Sequence, residues 1–385
     1  MSEINSQQDQ NINLKIVQGV EGISEFSKHW DDLFARVLDA PPYLSQTWVR
    51  TFIQEGRIKG IPLFVCAYSD IKLVGLFPLT VYKFLNVKIA VPIGIGEASY
   101  LGILLDPDYL SVTDCMADMI SSKKIFDVYL NPFLSVSDTA TNNLIANLTC
   151  RGYICRQVLR SPCRYIQLNN SFDEYFCNSI SSRSRHTLRR KERRLSRTSD
   201  VEFQYYTGKD VTAETISRIA KVQEESWMKR RGAAVLDQEF YRKLLIEMAQ
   251  ASLGCTWLMT IDGADAAFQY AYVAHKKLYF CWTAFKLKYE TLSPGQSLMM
   301  HMIRDACHNN ILSIDFGLGD AEYKRFWCTN HFDVNRVIAG KGLMGWLITM
   351  CYYSAWCLAK IKCLHSSYRR IKRMLRRYRQ KVAIL

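Results

Sequence analysis

The stretch LYFCWTAFKLKYETLSPGQSLMMHMIRDACHNNILSIDFGLGDAEYKRFWC, residues 278–328, decides how the chain folds. It opens as an apolar, aromatic run ending near Ala284, the pattern of a strand. A polar loop follows, and a helix opens at Ser293-Pro294-Gly295-Gln296-Ser297. Ser293 suits the N-cap, and Pro294 suits the first helical position, where a missing N–H costs nothing. Gly295 has no side chain to block close approach. The free N–H groups of Gly295, Gln296 and Ser297 then point outward at the positive end of the helix dipole, an arrangement that binds phosphate. The run LSIDFG, 312–317, closes as a second strand.

Working outward, CTWLMTIDGADAAFQYAYVAHKKLYFCWTAF reads as three strands, the first two joined through the hairpin signal Asp262-Gly263. TAETISRIAKVQEESW and DQEFYRKLLIEMAQAS are amphipathic helices. The order strand, helix, helix, three strands, helix, strand predicts a mixed α/β (mixed α+β) sheet with a crossover helix between its last strands. Ahead of it, Ser171 caps a helix with Glu174 as capping-box partner. That helix runs on through SSRSRHTLRRKERRLSR, 181–197, with Phe176, Ile180, Leu188 and Leu195 on one face. The first half reads as strand 14–18, a helix carrying Phe26, Trp30, Leu33, Phe34 and Val37, and a proline-marked turn into a helix with Trp48 and Phe52. A hairpin at 62–84, a helix, a strand, a helix, and a strand in SPCRYIQLN complete it.

Length and charge bound the rest. A chain of 385 residues exceeds one ordinary core and suggests about two domains. Apolar residues at 49% and aromatics at 12% specify a folded chain. The sequence reads as a disordered tail over 1–13, one unit over 14–170, a second over 171–340 and a basic C-terminal helix over 341–385. The first residues lack the basic-then-apolar pattern of a secretory signal, so a cytoplasmic location is expected. Thirteen cysteines form no CxxC pair, which argues against a zinc site or disulfide framework and for reduced, buried thiols; no metal is expected. The net charge of +14 is concentrated: residues 183–197 hold eight bases and one acid, and 341–385 eleven bases and no acid. Elsewhere acids outnumber bases by four, so two segments, not the body, seek an anionic partner or are simply solvated.

Four segments, SRSRHTLRRKERRL (182–195), EESWMKRRG (224–232), SPGQSLM (293–299) and DFGLGDAEYKRFWC (315–328), together resemble the GNAT acyltransferase superfamily. The similarity is to the BioF-like domain of CelD/BcsL-type proteins of bacterial polysaccharide synthesis, and PPYLSQTWVRTF (41–52) is similar to that group's upstream aromatic motif. The resemblance implies two tandem GNAT-like halves, as in Fem-type peptidyl transferases, and acetyl-CoA or another acyl-CoA as co-substrate in the second half. The strand over 279–284, with Trp282 and Thr283, would splay from its neighbour and hydrogen-bond the pantetheine arm. Ser293, Gly295, Gln296 and Ser297 would hold the pyrophosphate. The acceptor amine would attack the thioester directly, with a backbone N–H stabilising the oxyanion. A base is needed to neutralise that amine; Asp315 and Glu322 are the candidates, with Asp315 alternatively capping the next loop. Tyr323 is placed to protonate the leaving thiolate, and Lys324 or Arg325 to hold an anionic group, unless Tyr323 and Trp327 are core and the two cations solvated. Glu225, Trp227, Lys229, Arg325 and Trp327 are candidates for the acceptor cleft, with Trp227 alternatively plain core. Cys328 stands where the family's motif has Gly, and Phe326 where it has Arg, so the acceptor end differs.

The tail has two parts. GLMGWLITMCYYSAWCLA (342–359) carries no charge, at the lower limit of a membrane span. An apolar stripe then continues through Ile361, Leu364, Tyr368, Ile371, Leu375 and Tyr378, with Arg and Lys on the other face, as in helices that lie on anionic lipid. The alternatives are packing on protein, a true span, or RNA contact. The expected function is N-acylation of a small-molecule or glycan amine, on a sugar or cell-envelope precursor. The competing classes are a Fem-type transferase using aminoacyl-tRNA and a non-catalytic, membrane-associated scaffold with the same fold. The basic stretch 181–197 reads as a solvated helix face or a wall meeting an anionic substrate or the CoA phosphates, with nucleic acid the less favoured partner.

Overall fold

The computed structural model describes residues 12–168 and 171–358. The first half runs β1 (Ile12–Gln18), α1 (Ile23–Arg36), α2 (Gln46–Gln54), β2 (Ile61–Ser69), β3 (Lys72–Phe84), β4 (Val87–Pro92), β5 (Leu104–Leu105), α3 (Val112–Ser122), β6 (Val128–Ser135), α4 (Thr139–Cys150) and β7 (Ile154–Gln167). The second runs α5 (Phe172–Ser179), α6 (Ser182–Thr198), β8 (Val201–Thr207), α7 (Ala213–Glu224), α8 (Trp227–Arg230), α9 (Glu239–Gln250), β9 (Gly254–Ile261), β10 (Ala264–Ala274), β11 (Lys277–Phe285), α10 (Pro294–His308), β12 (Ser313–Leu318), α11 (Glu322–Trp327), β13 (Asn330–Gly340) and α12 (Gly342–Leu358).

One mixed sheet carries everything, in the order β1-β2-β3-β4-β6-β13-β7-β12-β11-β10-β9-β8, with β5 paired to β3. The same plan occurs twice: an antiparallel meander, then a helical crossover to a parallel neighbour. In the first half α3 links β4 to β6; in the second α10 links β11 to β12. The strands exchange at the join. β13, last of the second half, lies between β6 and β7 of the first, and β7 pairs with β12 through Ser313↔Gln167 and Asp315↔Tyr165.

Side-chain alternation explains why helices cover both faces. In β9, Leu258 enters one core while Cys255, Trp257, Met259 and Ile261 enter the other. In β2, Phe64 and Cys66 face α1 and α2, whereas Leu63, Val65 and Ala67 face α3 and α4. The core beneath α1, α2, α7 and α9 draws on both halves: Trp48 and Phe52 from one meet Tyr272 and Phe240 from the other, with ring centroids 5.4 and 5.1 Å apart.

Several expectations need correction. The helix drawn from Ser171 through the basic stretch is two helices. Ile180 is extended (φ −111°, ψ 128°) and buried, and Ser181 starts α6 by accepting the Ser184 N–H. Ser171 does accept the Glu174 N–H. β7 begins at Ile154, well before SPCRYIQLN, and β13 was not anticipated. The expected disordered tail reached residue 13, but β1 begins at Ile12; residues 1–11 lie outside the described residues, as does the basic stripe beyond 358. Within its described part, α12 is apolar on all sides and not two-faced. Gly345, Thr349 and Trp356 pack inward, and Leu343, Met344, Trp346 and Leu347 are exposed.

Candidate active site

The centre of the second half is an opening in the sheet. β11 and β12 pair in parallel only at Lys277↔Ser313, Leu278↔Ile314 and Tyr279↔Asp315. On its other side β11 stays paired with β10, but the register shifts: Tyr270 faces Trp282 and Ala271 faces Phe280, so Cys281 is an extra, bulged residue. A bulge adds bend and twist, and beyond it, over the part of β11 that holds Trp282 and Thr283, the strand has no ladder partner on the β12 side among the described residues. The pairing with β12 runs as far as Tyr279, the first residue of the stretch expected to splay, and ends there.

β12 turns away on its own account. Gly317 sits at φ +69°, and a side chain there would place its Cβ 2.9 Å from Ser99 Oγ. Asp315, 1% exposed, holds this bend. It accepts the Gly317 N–H at 2.7 Å, the Tyr100 hydroxyl at 2.8 Å and the Cys163 thiol at 3.1 Å. Burial pushes the Tyr100 hydroxyl well above its ordinary range, so it remains a donor. Lys324, also buried, donates Nζ to the carbonyls of Gly317 (3.1 Å) and Leu318 (2.6 Å), and burial holds its ammonium below the usual value.

From the free end of β11 the chain makes a tight helical turn, Leu287–Leu292, and enters α10. Pro294 is the first helical residue, as expected, but Ser293 is not an ordinary N-cap. It adopts left-handed backbone (φ 57°) and its side chain accepts no capping bond. Its carbonyl takes the N–H groups of Gln296 (3.1 Å) and Ser297 (3.4 Å), so these two amides are engaged and do not both point outward. Gly295 is half-exposed, and a Cβ there would lie 3.3 Å from the Phe285 ring. The basic helix supplies the missing polarity. Lys191 Nζ donates to Gln296 Oε1 at 2.8 Å, and Glu192, the one acid of α6, pairs with Arg304 of α10 at 2.8 Å. Leu188 and Leu195 are buried beneath, each contributing about 1.5–3 kcal/mol by burial. Arg183, Arg189, Arg190, Arg193, Arg194 and Arg197 stay exposed.

Beside the bulge lies a cavity of about 410 Å³, counted out to solvent, lined by Tyr43, Trp48, Glu97 and Ser99 of the first half and by Leu244, Tyr272, Phe280, Cys281 and Trp282 of the second. Burial, with the Glu97 carboxylate adding to it, pushes the Cys281 thiol far up, so it is no thiolate.

The remaining candidates are dispersed. Glu225 and Trp227 flank the end of β11: Ser226 bridges to Lys286, Glu225 Oε1 pairs with Lys286 Nζ at 2.9 Å, and the Glu225 carbonyl accepts the Leu287 N–H. Lys229 is exposed and paired with Glu224. On α11, Glu322 is exposed, Tyr323 is 40% exposed, and Arg325 pairs with Asp320 at 3.0 Å. Trp327 is core, 3% exposed, its carbonyl taking the Tyr175 hydroxyl. Sequence reasoning held Lys191 only within the basic stretch 181–197, read as a solvated face or a wall for CoA phosphates, and did not single out Tyr43, Glu97 or Ser99. The aromatic motif 41–52 was the signal for Tyr43. Nothing local marked Glu97, because the contact that matters joins residues far apart in the chain.

Residues 182–325 match the acetyltransferase (GNAT) domain family. No curated protein matches the sequence. Among solved structures the fold is similar to FemX (12% identity, TM-score 0.58, covering 80% of this chain and 95% of that one). It is similar also to the C-terminal domain of a protein named as a lysylphosphatidylglycerol synthetase from Agrobacterium fabrum (11%, 0.53, 85% and 95%). A conserved protein of unknown function from Bacteroides thetaiotaomicron is a third (12%, 0.50, 82% and 97%). Residues 182–325 thus match a GNAT-type acetyltransferase domain, set in a mixed α/β chain whose first half repeats the same plan of strands and crossover; at these identities the solved structures speak to the fold.

Proposed function

We propose that the protein is an N-acyltransferase that moves an acyl group from acetyl-CoA or another acyl-CoA directly onto an amine. The observation that carries this is the splay of β11 from β12, which opens a backbone edge running from the bulge at Cys281 toward the first turn of α10. An extended pantetheine arm pairs with such an edge as a strand does, beside Trp282 and Thr283. The diphosphate then falls at Gly295 and the α10 N-terminus, with Lys191 close by. A backbone N–H of the free edge stabilises the oxyanion. The amine attacks the thioester carbon, the C–S bond breaks, and the thiolate takes up a proton. The half-buried, neutral Cys281 supports attack without an acyl-enzyme. Asp315, its oxygens taken by three donors, is read as the residue that fixes the bend.

A sugar or other cell-envelope precursor is our choice of acceptor, resting on the resemblance of 182–195, 224–232, 293–299 and 315–328 to the CelD/BcsL-type group. One observation favours a Fem-type donor instead: the exposed arginines of α6 line the approach to α10 and could meet the phosphates of an aminoacyl-tRNA. Among the described residues no helix is long and apolar enough to cross a membrane. The exposed apolar side of α12, leading into 359–385 with ten bases and no acid, supports a peripheral seat on the anionic inner face of the cytoplasmic membrane. Calorimetric titration with acetyl-CoA, followed by a thiol-release assay over a panel of amino sugars, tests the main reading. Binding of tRNA without binding of acetyl-CoA would overturn it.

A further inference from the structure

The cavity between the halves contains a carboxylate that the acyl-transfer reading leaves idle. Glu97 stands on the loop 93–100. Its Oε1 accepts the Tyr241 hydroxyl at 2.8 Å, and the side chain is otherwise open to solvent. The same loop packs on the cavity wall: Gly94, at φ +89°, covers Trp48 Nε1 and leaves no room there for a Cβ. Five residues on, Ser99 lies against Gly317 at the bend of β12. One loop of the first half therefore reaches both strands of the splay.

We propose that this cavity is the acceptor site and that Glu97 takes a proton from the incoming ammonium. This rests on the acyl-transfer reading and names the residue that receives its substrate: a primary amine, bound as the ammonium, as in an amino sugar or an amino-acid derivative. A carboxylate beside the aromatic lining of Tyr43, Tyr272 and Trp282 suits an ammonium. In the step itself, the ammonium gives one proton to the Glu97 carboxylate and its lone pair forms the C–N bond to the thioester carbon. The C–S bond breaks, the departing thiolate takes the second proton from nitrogen, and Glu97 returns its proton to solvent. The products are the amide and the free thiol.

The full-length protein is tested in two ways. Ligand-observed NMR with glucosamine, serinamide, ethanolamine and ethylamine reads amine binding without any donor. Wild type is expected to bind all four, and Glu97→Gln to weaken each of them at least 5-fold. Glucosamine against serinamide separates a sugar from an amino-acid source. Equal binding of all four amines to wild type and Glu97→Gln overturns the proposal, whatever the donor proves to be. Acetyl-CoA binding and turnover are then read separately. Glu97→Gln should keep the acetyl-CoA Kd within 2-fold while kcat/KM for the amine falls about 10²–10⁴-fold, with Glu97→Asp partly restoring it. A wild type that binds amine but no acetyl-CoA would end the donor reading and leave the amine site standing; unchanged turnover in Glu97→Gln would end the proposal.

Discussion

Lys191 donates its ammonium proton to Gln296 Oε1 across 2.8 Å, and so ties the basic helix to the first turn of α10. The arginines around it had suggested nucleic acid, but the one lysine that reaches inward reaches the loop proposed to hold a diphosphate. Reversing this charge removes an attraction and adds a repulsion. Lys191→Glu should raise the Kd for CoA roughly 5- to 30-fold, about 1–2 kcal/mol, and flatten its dependence on ionic strength. Titration calorimetry at low and high salt checks this. A Kd unchanged at both would separate α6 from the donor site.

Gly295 tolerates little above it. A Cβ already lies 3.3 Å from the Phe285 ring, so larger side chains must turn out over the mouth of the cleft. Gly295→Trp is expected to abolish CoA binding while the melting temperature falls by only a few degrees, since the site is half-exposed and on a first helical turn. Circular dichroism melts beside the titration separate a blocked site from a lost fold.

Asp315 offers a test of structure against chemistry. If its task is to hold the β12 bend, Asp315→Asn keeps one oxygen for Gly317 and Cys163 and disturbs the bond from Tyr100. The expected loss is about 1–3 kcal/mol of stability, with turnover per folded molecule reduced less than about 10-fold. A general base would lose about 10²–10⁴-fold in turnover at little cost in stability. Urea denaturation and assay of the same preparation tell the two apart.

Asp138 gives the fold a pH signature. It caps α4 by accepting the Thr141 N–H at 2.9 Å and hydroxyl at 2.6 Å, yet burial pushes its carboxyl up from 3.8 to about 6. A folded value above the unfolded one means the native state holds the proton more tightly. Stability is therefore highest below the unfolded value near 4 and declines as pH rises through about 6. Allowing for the partial exposure of this residue, the decline is about 1–2 kcal/mol. Thermal melts from pH 4 to pH 7 should show it in wild type and not in Asp138→Asn. A wild-type curve that climbs over this range would contradict it.

What the sequence disclosed and what it hid have physical causes. Elements with a full period of their own were legible: the Asp262-Gly263 hairpin, the crossover helix after Pro294, and Leu188 and Leu195 under the arginines. β13 was missed because its partners, β6 and β7, are distant in sequence and its first residues are only half-buried. The break at Ile180 was missed because an isoleucine on the apolar face fits a continuous helix as well as a plug between two. The residues we propose for the donor stand together in the sequence, on one loop and one strand. Those we propose for the acceptor do not, because Glu97 and Cys281 meet only once the two halves have folded together.

The exposed side of α12 makes the last prediction. Leu343 is 74% exposed and Trp346 and Leu347 each 40%, while Gly345, close against Gly340, fixes the opposite side to β13. An apolar strip of this kind, next to a segment of ten bases and no acid, fits a surface that is apolar within and negative at its face. Lys and Arg near anionic lipid contribute about 1 kcal/mol each at low salt, so the two signals reinforce one another. The full-length protein should float with vesicles rich in phosphatidylglycerol, bind phosphatidylcholine vesicles much less, and be released as ionic strength rises. Leu343→Glu with Leu347→Glu should cut flotation at least about 10-fold while lowering the melting temperature by only a few degrees, because both side chains lie on the exposed side of the helix. If the double substitution instead turns a stable dimer into a monomer on light scattering and leaves flotation unchanged, the strip is a contact between copies of the chain and the basic segment alone meets the lipid.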